Sequence, residues 1–209
     1  MAMATEAVAI SIMAKAPVPG LTKTRLIPAL GAHGAAMLQE ALTARAVDTA
    51  VTAQTGPVTL WATPDGTHPS FRELTIASRI AIRRQPDGDL GTRMLAACDA
   101  VSGPVLVIGT DCPSLVPAHL HAAADALREG CDVAIIPAED GGYVLIGTRH
   151  PQPMLFSAMP WGTDMVMAET RKRITEDGLR CRELPALWDI DRPDDLERLR
   201  GDSAFERFF

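Results

Sequence analysis

The run PVLVIG, residues 104–109, constrains this chain more than any other stretch. It is an almost unbroken series of apolar and β-branched residues with no polar alternation. A strand of that kind has to be covered on both faces, which is the mark of a central strand in a parallel sheet. AVAISIM (7–13), VTLWAT (58–63), RIAIRR (79–84), DVAIIPA (132–138) and YVLIGT (143–148) also read as strands. Residues 34–53, 92–101, 117–130 and 163–178 carry helical patterning, and HPSFRELTIA (68–77) is a short, weakly helical piece. RELPALWDID (182–191) reads as a last extended segment and PDDLERLR (193–200) as a terminal helix. The alternation predicts an α/β fold with a mostly parallel, Rossmann-like sheet and helices on both faces. With no linker visible, the 209 residues are expected to form one domain, 1–209.

In open sheets of this type ligands bind beyond the carboxyl ends of the strands. The polar motifs fall there: 15–25 after the first strand, 85–91 after the third, 109–114 after the central strand and 189–191 after the last segment. Four loops therefore converge on one rim.

The first of these loops, AKAPVPGLTKTRL (14–26), packs two prolines, a glycine, two lysines and an arginine into a short stretch. The chain carries a net charge of −6, so this positive charge is local, and no global field would attract nucleic acid. The prolines limit the freedom of the loop, and Gly20 permits close backbone approach. Lys23 and Arg25 can pair with phosphate oxygens. The nucleotide-binding set drawn from the loop is Lys15, Pro17, Gly20, Lys23, Thr24 and Arg25. The loop matches neither a Walker A motif nor a dinucleotide fingerprint. A solvated basic loop with no ligand is the plain alternative.

Asp111 follows the central strand in VLVIGTDCPSL. A carboxylate there needs solvent or a cation, and Mg²⁺ or Mn²⁺ is the usual partner beside a pyrophosphate; otherwise Asp111 shapes a turn. Asp189 and Asp191 stand two apart in an extended segment, so both face one side. They suit metal or hydroxyl binding, while Asp191 is also placed to cap the helix opened by Pro193. Asp111, Asp189 and Asp191 are the candidate metal ligands. In PAEDGGYVLIG, Asp140-Gly141-Gly142 reads as a hairpin-like turn, or as a glycine floor under an acceptor with Asp140 binding hydroxyls or acting as base. The four cysteines show no metal or disulfide pattern, and the N-terminal residues suggest neither secretion nor a membrane anchor; a reduced, cytoplasmic chain is expected.

Taken in order, KAPVPGLTKTRL, QPDGDLGTRM, GTDCPSL, PAEDGGYVLIG, PWGTDMV and DIDRPDDL resemble a bacterial family long catalogued as a domain of unknown function, DUF2064. Its members are described as glycosyltransferase-like, are related to the guanylyltransferase of coenzyme F420 synthesis, and in part are linked to arsenosugar biosynthesis. The resemblance implies the nucleotide-diphospho-sugar transferase fold, also called GT-A. It implies that residues 15–25 lie along the nucleotide phosphates and that Gln85, Gly88, Asp89 and Gly91 lie near base and ribose. It implies a metal at Asp111, although GTDCP holds only one of the two acids of the usual D-x-D. Gly141, Gly142 and Trp161 then fall on the acceptor side, and Asp111, Asp140 and Lys23 form the catalytic set.

Three functions follow as expectations. The first is a glycosyltransferase using Mg²⁺ or Mn²⁺, a nucleotide-sugar donor and a small-molecule acceptor. The second is a nucleotidyltransferase joining an NTP to a phosphorylated small molecule, and the third a non-catalytic nucleotide-binding protein. Donor base, sugar, acceptor and oligomeric state are not readable from the sequence.

Overall fold

The computed structural model describes residues 6–209. Seven strands form one sheet: β1 (Ala9–Lys15), β2 (Val58–Thr63), β3 (Ala81–Arg84), β4 (Val105–Ile108), β5 (Val133–Pro137), β6 (Tyr143–Thr148) and β7 (Cys181–Glu183). Their order is β3-β2-β1-β4-β6-β5-β7. Only β6 runs against its neighbours, β4 and β5, so the sheet is mostly parallel. Five α-helices connect the strands: α1 (Ile27–Ala53), α2 (Pro69–Ser78), α3 (Leu90–Asp99), α4 (Pro117–Arg128) and α5 (Val166–Glu176). No helix among the described residues is long and apolar enough to cross a membrane.

The central strands sort their side chains with a period of two. Leu106 and Ile108 of β4 join Ile10 and Ile12 of β1 in a core closed by α1 and α4. Val105 and Val107 face the other way, onto Met94 and Cys98 of α3 and Met167 and Ile174 of α5. All four residues of β4 are buried, as a strand covered on both faces requires.

Several elements depart from the sequence reading. β1 ends two residues later than expected, so Lys15 is the last residue of the strand, in register with Thr63. Helical structure begins at Ile27, but Gly31, at φ 69° and ψ 167°, interrupts it, and the regular helix lies downstream of it. The weak 68–77 piece is a full helix because Phe71 and Thr75 are buried. The terminal PDDLERLR segment is a 3₁₀ helix over Pro193–Leu199 rather than an α-helix. Its apolar residues Leu196 and Leu199 are three apart, a spacing that a three-residue turn aligns on one face, and both bury against α1.

The loop after β3 is held by structural roles. The buried amide of Gln85 donates to the carbonyls of Ala14 (3.2 Å) and Trp61 (2.7 Å), tying the ends of β1 and β2 together. Asp89 caps α3, accepting from the backbone N–H and hydroxyl of Thr92 at 2.8 and 2.7 Å. Those bonds hold its carboxyl below the usual range. Gly91 lies so close to the carbonyl oxygen of Phe156 that a Cβ would stand 2.0 Å from it.

Gly91→Ala should therefore force α3 off the 156 segment and cost about 2 kcal/mol or more in urea unfolding. Gly20→Ala, strained only by its φ of +80° in open space, should cost about 1 kcal/mol. Equal losses would contradict this account of Gly91.

Candidate active site

The first loop leaves β1 through a tight turn. Leu21 donates to the carbonyl of Val18 at 3.0 Å, with Pro19 and Gly20 at the centre and Gly20 at φ +80°. This is the turn chemistry that Pro-Gly supplies. The loop then drops Thr22 into the protein and turns at Lys23, whose backbone is left-handed at φ 46°. Beneath it, Gln39 of α1 donates to the hydroxyls of Thr110 (2.9 Å) and Thr43 (3.3 Å), and Thr22 donates to Gln39 at 3.4 Å. This buried polar network joins the loop, α1 and the end of β4.

Lys23 is the hub. Its ammonium lies 2.7 Å from Asp111 Oδ1 and donates to the carbonyl of Ile190 at 2.5 Å. The Lys23 side chain is 5% exposed and that of Asp111 51%. Ile190 in turn donates its N–H to the carbonyl of Asp111 at 2.8 Å. Ile190 is wholly buried against α1, and alternation along the extended segment turns its neighbours Asp189 and Asp191 to the other side. Arg25 pairs with Asp191. Two of the three loop cations are thus joined to the opposite rim, while Lys15 has no carboxylate partner among the described residues. Asp191 does not cap the terminal helix; Asp195 does, accepting from the N–H groups of Asp191 (2.9 Å) and Arg192 (2.7 Å).

Around this hub lie two adjoining compartments. The inner one, about 490 Å³, is walled by Lys15, Lys23, Thr24 and Arg25 on one side and Asp111, Asp140 and Asp189 on the other. The outer one, about 610 Å³, extends to Trp161, Asp164 and Arg198. Asp140, Asp189, Asp191, Arg25 and Tyr143 border both. Asp140 sits in the turn between β5 and β6 and accepts from the N–H of Gly142 at 2.9 Å. Burial, and then the carboxylates of Asp140 and Asp111, push Asp189 up to about 6, against the pull of Lys23.

Not every candidate reaches the cleft. Pro17 is buried and faces a separate groove beside Phe71 and Leu74. Gly20 serves the turn. Of the 85–91 loop, Leu90 alone lines the inner compartment; Gln85, Gly88, Asp89 and Gly91 lie outside it, because strand ties, capping and close packing use them. Gly141 supports the site from behind: a Cβ there would stand 2.4 Å from the carbonyl oxygen of Asp164. Gly142 borders both compartments, and Trp161, edge-on to Tyr143 at 6.3 Å, walls the outer one. Sequence reasoning missed Gln39, Thr110 and Tyr143. A glutamine between Leu38 and Leu42 on a buried helical stripe was the available signal for the first.

The donor set suits a hard divalent cation. The carboxylates of Asp140 and Asp111 repel that of Asp189 beside the Lys23 ammonium, and carboxylate oxygens are the ligands Mg²⁺ and Mn²⁺ prefer. Among the described residues no three acidic, histidine or cysteine side chains close around one point. That accords with Mg²⁺ sites built from one or two carboxylates and completed by substrate phosphates.

The sheet order and the site at its carboxyl edge define a nucleotide-diphospho-sugar transferase fold. The profile of a family of uncharacterized proteins conserved in bacteria, DUF2064, matches residues 46–163, and the chain belongs to that family. It is similar to a crystal structure from Desulfovibrio desulfuricans G20 provisionally assigned as a nucleotide-diphospho-sugar transferase, with 27% identity and a TM-score of 0.82 over 96% of this chain and 90% of that one. A nucleotidyl transferase from Methanothermobacter shares 17% identity, with a TM-score of 0.61 over 92% and 96%. Glucosyl-3-phosphoglycerate synthase of Mycobacterium tuberculosis, solved with Mn²⁺, UDP and glucosyl-3-phosphoglycerate, shares 14%, with a TM-score of 0.57 over 92% and 75%. No curated protein matches. The fold is thus one used by transferases of both sugars and nucleotidyl groups.

Asp111→Ala should strand the buried Lys23 ammonium and lower unfolding stability by about 1–3 kcal/mol, toward the lower end because Asp111 is half exposed. Adding Lys23→Met should recover part of that loss. Strictly additive losses in the double-mutant cycle would mean that the pair is not coupled.

Proposed function

We propose that this protein is a metal-dependent glycosyltransferase-like enzyme that uses a nucleotide-diphospho-sugar donor. The observation that carries the reading is the set of carboxylates of Asp111, Asp140 and Asp189 lining the inner compartment beside Lys23 and Arg25. The inner compartment takes the nucleotide and its diphosphate, and the outer compartment takes the acceptor.

Asp111, with Asp189 or Asp191 from the last segment as a second ligand, would hold Mg²⁺ or Mn²⁺. The ion, when bound, supplies positive charge that stabilises a departing diphosphate. Lys15, Thr24 and Arg25 line the same side of the cleft and add cationic and hydroxyl contacts to phosphate oxygens. Lys23 acts mainly by positioning: it holds the Asp111 carboxylate and the backbone of Ile190 in fixed relation. Asp140, on the border of both compartments, is placed to orient or deprotonate an acceptor hydroxyl.

A nucleotidyltransferase acting on a phosphorylated small molecule would use the same inner compartment, since such chemistry also rests on positioning and charge neutralisation. Donor preference separates the two. Calorimetry with UDP- and GDP-sugars against GTP and CTP, with and without Mn²⁺, should give tighter binding of a nucleotide-sugar when Mn²⁺ is present. Asp111→Ala should weaken that binding at least about tenfold. Asp125→Ala, on the exposed face of α4, should leave it unchanged. Preference for a free NTP would favour the second reading, and binding indifferent to Mn²⁺ would remove the metal from the first.

A further inference from the structure

The outer compartment has a charge pattern that bears on what it accepts. Six carboxylates line it, from Glu139, Asp140, Asp164, Asp189, Asp191 and Asp195. Three guanidinium groups face them, those of Arg25, Arg192 and Arg198. Two of these cations are engaged within the protein. Arg25 pairs with Asp191. Arg198 makes two bonds to Glu139, at 2.7 and 3.1 Å, and lies over the ring of Trp188 at 4.5 Å. Asp140 and Asp164, which stand outside the proposed metal ligands, have no ion-pair partner among the described residues, and Arg192 is the one guanidinium of the compartment left without a carboxylate there. The free charge facing an entering molecule is therefore negative.

The remaining wall is aromatic. Trp161 stands edge-on to Tyr143, with an interplanar angle of 86°. The buried indole N–H of Trp161 lies beside Asp89, at the start of α3 and away from this compartment. The Tyr143 hydroxyl reaches only the thioether of Met94, at 4.0 Å.

We infer that the acceptor is an uncharged or cationic polyhydroxyl compound, and that phosphorylated and carboxylated acceptors are excluded. Unpaired carboxylates accept hydrogen bonds from hydroxyl or ammonium groups and repel anions. The aromatic faces of Trp161 and Tyr143 take the C–H faces of a polyol. This deepens the glycosyl-transfer reading and rests on it. It also opposes the nucleotidyltransferase alternative, whose acceptor would bring a phosphate into this space.

The test uses paired probes that differ only in a phosphate: glycerol against glycerol 3-phosphate, and ribose against ribose 5-phosphate. Saturation-transfer NMR on the full-length protein, alone and with UDP or GDP and Mg²⁺, reads their contact with the outer compartment. The neutral member of each pair should be saturated, and its phosphate ester should bind at least about tenfold more weakly. Asp164→Asn and Asp164→Lys, both at an acidic side chain on the outer wall, should progressively admit the esters. An ester that binds the wild-type protein as well as its parent overturns the inference, as does discrimination unchanged in both variants. Failure of every probe to bind overturns the assignment of this compartment to the acceptor. Nucleotide calorimetry reads the donor reading separately: nucleotide binding without polyol discrimination sinks the inference alone, and discrimination without nucleotide binding sinks the donor reading alone.

Discussion

Most of the site hangs on one buried ammonium. Lys23 leaves the first loop in a left-handed backbone conformation, which costs a non-glycine residue roughly 1 kcal/mol or more. In return its side chain reaches the end of the central strand through Asp111 and the final segment through the carbonyl of Ile190. Three pieces of chain far apart in sequence are thereby fixed at one point. A lysine suits this task because its ammonium is compact and has three donors that can point to unlike acceptors. The planar fork of an arginine matches one carboxylate better than it matches a carboxylate and a carbonyl set at an angle. The network of Gln39, Thr22 and Thr110 supports the same point from below, so the loop is held on two sides.

That arrangement revises the meaning of a cationic loop. The sequence places Lys15, Lys23 and Arg25 together, and free phosphate-binding charges are the natural expectation. In the folded chain, two of the three meet carboxylates contributed by the loop after β4 and by the last segment. Cations and acids that look like separate motifs neutralise one another across the cleft. A diphosphate with its metal ion presents both signs of charge, and a cleft lined by paired groups of both signs can exchange internal pairs for pairs with the ligand. Such an exchange costs less than uncovering isolated charges, because no buried charge is left alone at any stage.

What could be read from the sequence followed from periodicity and from strand ends. β4 was legible because four consecutive buried apolar residues have few other uses, and Asp111 was legible because it stands just past them. The Asp140-Gly141-Gly142 turn was legible as a connection between two strands, and β5 and β6 do pair antiparallel around it. Gln85 and Asp89 take up structural roles for a shared reason. Polar side chains in a rim loop suggest a ligand, yet the first demands there come from the backbone: carbonyls at the ends of β1 and β2, and the free N–H groups of α3. Such demands depend on which strands become neighbours, and a linear pattern does not state that. The 3₁₀ form of the terminal segment and the two-sided role of Lys23 are tertiary in the same sense.

The division of the cleft follows from β6. Because that strand runs against β4 and β5, the turn before it, with Asp140 and Gly142, returns to the carboxyl edge where the parallel strands end. Tyr143, the first residue of β6, then stands between the compartments, and Trp161 packs against it from the loop that leads toward α5. An all-parallel sheet would have carried the chain away to the opposite edge at this place. The reversed strand therefore supplies both the partition between the compartments and the aromatic wall of the outer one. The inner compartment draws its cations from the first loop, which the outer one shares only through Arg25. The charge difference between the two halves is thus a consequence of topology: the half beside β1 carries Lys15 and Lys23, while the half built after β6 carries Asp164 and Arg198 paired with Glu139.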